Sequence, residues 1–61
     1  MLETGQIPAG SYTNNTNNFM LIFTVTGLRY WLFNGMTATI PAGGAVSFVS
    51  TNLADFAGLP G

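Results

Sequence analysis

The chain has 61 residues, of which 48% are apolar and only 5% are charged, namely Glu3, Arg29 and Asp55. It contains no cysteine, histidine or lysine. This composition excludes a disulfide framework, a zinc site of the Cys/His type and catalysis by Cys or His, and one arginine cannot neutralise a row of nucleic-acid phosphates. A domain of about 60 residues buries only roughly 60% of its unfolded surface. We therefore expect the fold to be stabilised by copies of itself or by a larger partner.

Residues 1–18 are predicted to form an extended arm followed by a polar loop. Pro8 and Gly10 are typical of a turn that ends the arm. Residues 11–18, SYTNNTNN, are rich in Asn and Thr, whose side chains bond to nearby backbone and favour loops. No positively charged stretch precedes an apolar run, so we expect no secretory signal.

The antiparallel β core is predicted over residues 19–51, because β-branched and aromatic residues are concentrated there between turn signals. The four expected strands are residues 19–26, 28–33, 36–40 and 45–51. A tight turn at Thr26-Gly27 or Gly27-Leu28 would join the first two. Asn34-Gly35 predicts a type I′ hairpin, since both central residues of that turn need positive φ. The four residues from Pro41 to Gly44 predict the last turn.

Residues 52–61 are predicted to form a short C-terminal helix or tail. Asn52 is a suitable N-cap for a helix over residues 53–57, and Gly58 would end it. The predicted fold is therefore all-β: a small antiparallel meander, half sandwich or jelly-roll-like unit between an N-terminal arm and a C-terminal helix. The peptide Ile-Pro-Ala-Gly occurs at residues 7–10 and again at 40–43, which we interpret as one turn type used twice.

The two central strands lack a polar face, so we expect both of their faces to be covered. These strands predict an interaction surface of apolar and aromatic residues together with one arginine: Met20, Ile22, Arg29, Tyr30, Trp31 and Phe33. Trp, Tyr and Arg are the residue types that most often dominate binding at interfaces. The alternative is that Trp31 is the largest core residue of a compact barrel. Arg29, the only cation, is expected to pair with Asp55, Glu3 or a partner's carboxylate.

No residue pattern indicates catalysis. Glu3 and Asp55 are the only carboxylates and lie at opposite ends of the chain, no histidine can activate a serine, and too few acids are present to bind calcium. We expect no enzyme activity, cofactor, metal, nucleic acid or small-molecule substrate. The longest apolar stretch, residues 19–33, is shorter than the roughly 20 residues of a spanning helix, so a membrane span is not expected.

Residues 39–48, TIPAGGAVSF, combine a strand, a Pro-Ala-Gly-Gly turn and an alternating strand. This segment, with the charge-poor Asn/Thr-rich composition, resembles the short β-sandwich and jelly-roll segments of bacteriophage virion proteins. The resemblance implies a structural protein of the virion, such as a decoration or cement protein of the capsid or a small tail or spike component. It covers about ten residues and carries over no functional residue.

Three functions follow as expectations. The first is a non-enzymatic virion subunit that binds copies of itself or a larger capsid protein through hydrophobic β surfaces and terminal arms. The second is a small membrane-associated peptide with residues 19–33 as a helix. The third is a self-polymerising β-fibre subunit, which low charge and open strand edges favour.

Overall fold

The computed structural model describes residues 1–59, which contain six β-strands and one turn of 3₁₀ helix. The strands are β1 (Glu3–Ile7), β2 (Gly10–Thr13), β3 (Phe19–Thr24), β4 (Arg29–Leu32), β5 (Thr37–Ile40) and β6 (Ala45–Ser50), and the helix spans Leu53–Phe56. Every strand pair is antiparallel. The predicted all-β class is confirmed. The predicted tail includes Pro60 and Gly61, which lie outside the described residues.

The strands form two sheets. The first has the order β1-β6-β3-β4, and the second consists of β2 and β5. Within residues 1–59, β3 and β4 are the only consecutive strands that pair, so the predicted meander is wrong. The reason lies in the remaining connections, which carry the chain from one sheet to the other instead of folding it back on its neighbour.

The segment predicted as an arm belongs to the fold. Strand β1 pairs with β6 from Glu3 opposite Val49 to Ile7 opposite Ala45, and β2 pairs with β5. Alternation is hard to read in these strands because they are short and carry Gly, Ser and Thr at exposed positions. Their main-chain hydrogen bonds to β6 and β5, rather than their side-chain pattern, determine their conformation.

The Asn34-Gly35 turn is a crossover and not a hairpin. The N–H of Met36 donates to the carbonyl of Phe33 over 3.0 Å, and φ is positive at Gly35 (87°) but not at Asn34. A single positive φ at the third residue is typical of a type II turn, whereas type I′ needs two. The turn leads from β4 in the first sheet to β5 in the second.

The core lies between the two sheets. Its buried side chains are Ile7, Met20, Ile22, Leu32, Ala38, Ile40 and Ala45, and Tyr12, Tyr30 and Val49 pack against them. We call the face of the first sheet that packs on β2 and β5 its inner face. The chain covers this face of its central strands with its own second sheet.

The two Ile-Pro-Ala-Gly peptides occupy equivalent places. Each begins with a buried isoleucine, Ile7 or Ile40, and each connects the two sheets. Gly10 and Gly43 both have positive φ, 126° and 98°. The second peptide forms a hydrogen-bonded turn, in which the N–H of Gly44 donates to the carbonyl of Pro41 over 3.1 Å, whereas the first is a bend, so the two connections are not one turn type.

Candidate interaction surface

The outer face of the first sheet, which points away from the second sheet, is aromatic. Leu21 lies opposite Trp31 in β4 and opposite Phe48 in β6, and these residues alternate with the buried inner-face residues of their strands. We call this surface the outer aromatic face; its members are Phe19, Phe23, Trp31, Phe33 and Phe48. Phe19 and Phe33 meet edge to face at 5.5 Å between ring centroids, and Phe23 and Phe48 lie 5.3 Å apart. Such spacings are favourable for aromatic pairs.

The 3₁₀ helix covers only part of this face. Asn52 caps the helix by accepting a hydrogen bond from the N–H of Ala54, as expected for an N-cap. The helix places Phe56 5.1 Å from the Trp31 ring in an edge-on arrangement, and Phe56 and Leu21 are both buried. Trp31 nevertheless remains 37% exposed, and Phe33 remains 47% exposed. The outer aromatic face is thus an apolar surface that the described residues leave partly open.

The predicted interaction residues divide between the two faces. Met20 and Ile22 are 2% and 0% exposed and belong to the core, where Tyr30 also packs. Trp31, Phe33 and Arg29 are exposed on the opposite side of the sheet. The prediction that Met20 and Ile22 share an uncovered patch with Trp31 and Phe33 is therefore wrong, and an interface role for Arg29, Trp31 and Phe33 stays a prediction.

A one-residue difference in register explains this error. A two-residue turn at Thr26-Gly27 would set Ile22 opposite Trp31. The actual loop has three residues, because the N–H of Thr24 bonds the carbonyl of Leu28 over 2.9 Å and Gly27 adopts φ 90°. This is the three-residue hairpin with glycine in the left-handed position. It sets Leu21 opposite Trp31, and a slip of one residue moves every side chain to the other face.

The correct register also brings in residues that the sequence prediction omitted. Phe19 and Phe23 of β3 and Phe48 of β6 join the outer aromatic face, whereas the prediction took Met20 and Ile22 from β3 and no residue from β6. Their alternation with Met20, Ile22 and Ser47 is visible in the sequence. The pairing of β3 with β6, a strand more than twenty residues away, is what no local pattern indicates.

Arg29 contacts an aromatic ring instead of a carboxylate. Its guanidinium carbon lies 5.8 Å from the centroid of Phe23, a cation–π distance. Within residues 1–59, neither Glu3 nor Asp55 comes within the 4.0 Å of an ion pair with it. The expected pairing of Arg29 with these two acids is therefore wrong for the described chain, and pairing with a partner's carboxylate stays a prediction.

Asp55 is held near the N-terminal residue. Its Oδ2 accepts a hydrogen bond from the Ser50 hydroxyl and lies 3.2 Å from the amino group of Met1. The Ser50 hydrogen bond, followed by the hydrogen bond and charge of this amino group, lowers the pKa of Asp55 from its usual 3.8. These contacts tie the start of the helix to the end of β6, so they help to hold Phe56 over Trp31.

Asn14 fixes the end of β4 that leads to Phe33. Its side chain is fully buried, and its Nδ2 donates to the carbonyls of Asn18 and Leu32, both over 2.9 Å. Its Oδ1 accepts from the backbone N–H of Thr16 (3.0 Å) and from the Thr16 hydroxyl (2.6 Å). All the polar capacity of this amide is used, as a buried amide requires.

Three or more potential metal ligands do not cluster anywhere in residues 1–59. A groove of about 590 Å³ lies between the turns at Pro8 and Gly43. Backbone and small apolar side chains line it, and Gln6 supplies its single polar side chain. The outer aromatic face is the more distinctive surface.

No family model, no curated protein and no solved structure matches this chain. Residues 19–33, considered as a possible membrane helix, form β3, a turn and β4. Within the described part of the chain, no helix has the length and hydrophobicity needed to cross a bilayer.

Proposed function

We propose that this protein is a non-enzymatic structural subunit of the virion, a decoration or cement protein that attaches to a capsid-like surface through its outer aromatic face. The observation that carries the proposal is the partial exposure of Trp31 and Phe33 on a sheet face that the helix covers incompletely. Exposed apolar patches of this kind mark sites of association. The viral setting, and a jelly-roll-like relationship of the fold, rest on the resemblance of residues 39–48.

The solvent side of the second sheet, opposite the outer aromatic face, indicates how the subunit would be oriented on the particle. The solvent side of the second sheet carries only hydroxyls, Ser11 opposite Thr39 and Thr13 opposite Thr37, and the last two hydroxyls are 2.7 Å apart. This surface is well hydrated and offers no apolar anchor. The subunit would therefore attach with the aromatic sheet toward the particle and the hydroxyl-bearing sheet toward solvent.

Low charge is consistent with a protein that works in the assembled state. A free small domain is kept apart from its neighbours by interspersed charges, and this chain has a formal net charge of −1. Burying the exposed parts of Trp31 and Phe33 would contribute about 1 kcal/mol each, since full burial of such a side chain contributes roughly 1.5–3 kcal/mol. Many copies on one lattice would add avidity to these modest contacts.

This proposal can be tested on virus particles purified from the source that encodes the chain. We expect mass spectrometry to find the wild-type chain at a fixed copy number per particle. Phe33→Ala should lower that copy number several-fold, because Phe33 is exposed and its loss leaves the core intact. Thr39→Ala, on the opposite surface, is the matched control and should leave it unchanged. Absence of the chain from the particles, or equal occupancy by both variants, would contradict the proposal.

A further inference from the structure

Strand β4 forms an open edge of the first sheet. Within residues 1–59, the sheet order gives it one neighbour, β3. The carbonyl of Leu28 points toward β3, since it accepts the N–H of Thr24. Main-chain groups alternate in direction along an antiparallel strand, so those of Tyr30 and Leu32 also point toward β3. The N–H and C=O groups of Arg29 and Trp31 therefore point outward from the edge.

This edge carries no proline or bulge, and the one charged side chain on it that could block strand addition is Arg29. Proteins protect their edges with proline, bulges, charged side chains or very short strands. The ends of β1 and β5 are followed directly by Pro8 and Pro41, and β1 contains Gly5. Strand β4, with the sequence Arg-Tyr-Trp-Leu, has neither proline nor glycine, and three of its four residues are large and apolar or aromatic.

The edge is complementary to itself. Arg29 and Trp31 lie two residues apart and on the same, outer, face. When two copies of β4 pair antiparallel about a two-fold axis at Tyr30, Arg29 of each copy stands directly opposite Trp31 of the other. These are also the residues whose main-chain groups point outward, so each such pair exchanges two hydrogen bonds. A cation beside the face of tryptophan is the strongest cation–π combination among side chains.

We propose that a second copy of this chain pairs with it edge to edge through β4, forming a continuous eight-stranded sheet in which Arg29 of each copy contacts Trp31 of the other. The pairing is isologous and closed, and it places two outer aromatic faces side by side on one sheet. This inference rests on the proposed structural role, for which it supplies the symmetric unit that attaches to the larger surface.

Alternatively, the charge of Arg29 prevents other strands from pairing with this edge. The two roles predict opposite effects of an Arg29 substitution on dimerisation. Native mass spectrometry of the purified chain over a concentration series should show a dimer. If Arg29 forms the two cross-copy contacts, Arg29→Gln should raise the dimer dissociation constant about 5- to 30-fold. If its charge prevents pairing, the same variant associates more strongly, and that result would overturn the proposal.

A cross-link tests the two-fold axis independently of the arginine. The chain has no cysteine, so Tyr30→Cys introduces a single thiol next to the axis, where facing residues of a non-hydrogen-bonded pair lie within disulfide range. Under mild oxidation this variant should form a covalent dimer much faster than Leu53→Cys, a control at an exposed position outside the edge. Equal rates for the two variants would refute pairing at β4.

The proposed function and the β4 dimer can be tested separately. Phe33 lies beyond the paired residues, so Phe33→Ala should leave the dimer intact while it lowers particle occupancy. A monomeric wild-type chain that still requires Phe33 for particle occupancy would refute the β4 dimer and leave the attachment surface standing. If the chain is a dimer but Phe33→Ala does not change particle occupancy, the β4 dimer stands and the attachment surface is refuted.

Discussion

At the scale of single residues, the fold depends on a small number of buried polar side chains. Asn14 is the clearest case, since its amide makes three hydrogen bonds within the loop of residues 14–18 and one to the carbonyl of Leu32 at the end of β4. In the sequence it is one of four asparagines in a repetitive loop, and nothing distinguishes it from Asn15. Only the structure shows that Asn14 is buried and Asn15 exposed.

Asn14→Ala should lower the free energy of unfolding by about 1–3 kcal/mol, because the substitution leaves buried partners such as the carbonyl of Leu32 without a donor. Urea denaturation measures the change. Asn15→Ala is the matched control, and we expect it to stay within about 0.5 kcal/mol of the wild type. Equal effects of the two substitutions would show that the buried amide contributes nothing specific.

Asp55 makes stability depend on pH in the acid range. Its pKa is lowered in the folded state, mainly by the Ser50 hydroxyl, so the ionised carboxylate stabilises the fold. This contribution is fully present above the unfolded value of 3.8 and is lost as pH falls through the lower folded value. Thermal melts of wild type and Ser50→Ala between neutral pH and pH about 2.5 test it.

Ser50→Ala should reduce the part of the acid-induced fall in melting temperature that comes from Asp55, and Asp55→Asn should remove that part. Thr51→Ala, a neighbouring exposed hydroxyl, is the control and should retain the wild-type profile. A wild-type profile in the Ser50→Ala variant would mean that the hydrogen bond does not lower the pKa of Asp55.

At the scale of elements, local patterns identify strands better than they identify partners. Residues rich in β-branched and aromatic types predicted β3, β4, β5 and β6, and Asn52 predicted the start of the helix. The two N-terminal strands and the pairing of β3 with β6 were missed, because they depend on hydrogen bonds between distant segments. The prediction of which residues form the interaction surface was wrong for a related reason. The loop of residues 25–27 has one residue more than a two-residue turn, and this extra residue exchanges the faces of β4 relative to β3.

Gly44 shows how closely two of these elements approach each other. Its φ is 76°, and a Cβ at this position would come within 2.7 Å of the carbonyl oxygen of Ile7 in β1. Gly44→Ala should therefore destabilise the fold by about 2 kcal/mol or more, since it adds a backbone clash to the strain of positive φ.

Gly58→Ala is the matched control for this glycine. A Cβ there meets no atom within 4 Å, and its φ lies outside the left-handed region. We expect its melting temperature to stay close to that of the wild type. Similar melting temperatures for Gly44→Ala and Gly58→Ala would contradict the close approach of β1 to the turn before β6.

At the scale of the whole molecule, two contrasting outer surfaces enclose a small core. The second sheet presents hydroxyls, and the first presents aromatic rings that the helix covers only around Phe56. Composition predicted that so small and uncharged a chain needs neighbours. It could not predict which surface such neighbours would cover, because the chain builds a second sheet from β5 and from β2, a segment that looks like a turn and a polar loop.

The central claim is that the outer aromatic face is buried on assembly, and the single tryptophan of the chain reports on it directly. Trp31 can be replaced biosynthetically by 5-fluorotryptophan, and the ¹⁹F solvent-isotope shift measured for the free chain and for the chain in its isolated assembly. We predict that the shift seen in the free chain, where Trp31 is 37% exposed, is lost on assembly. An unchanged shift in the assembled chain would show that partners bind elsewhere and would contradict the assignment of this face.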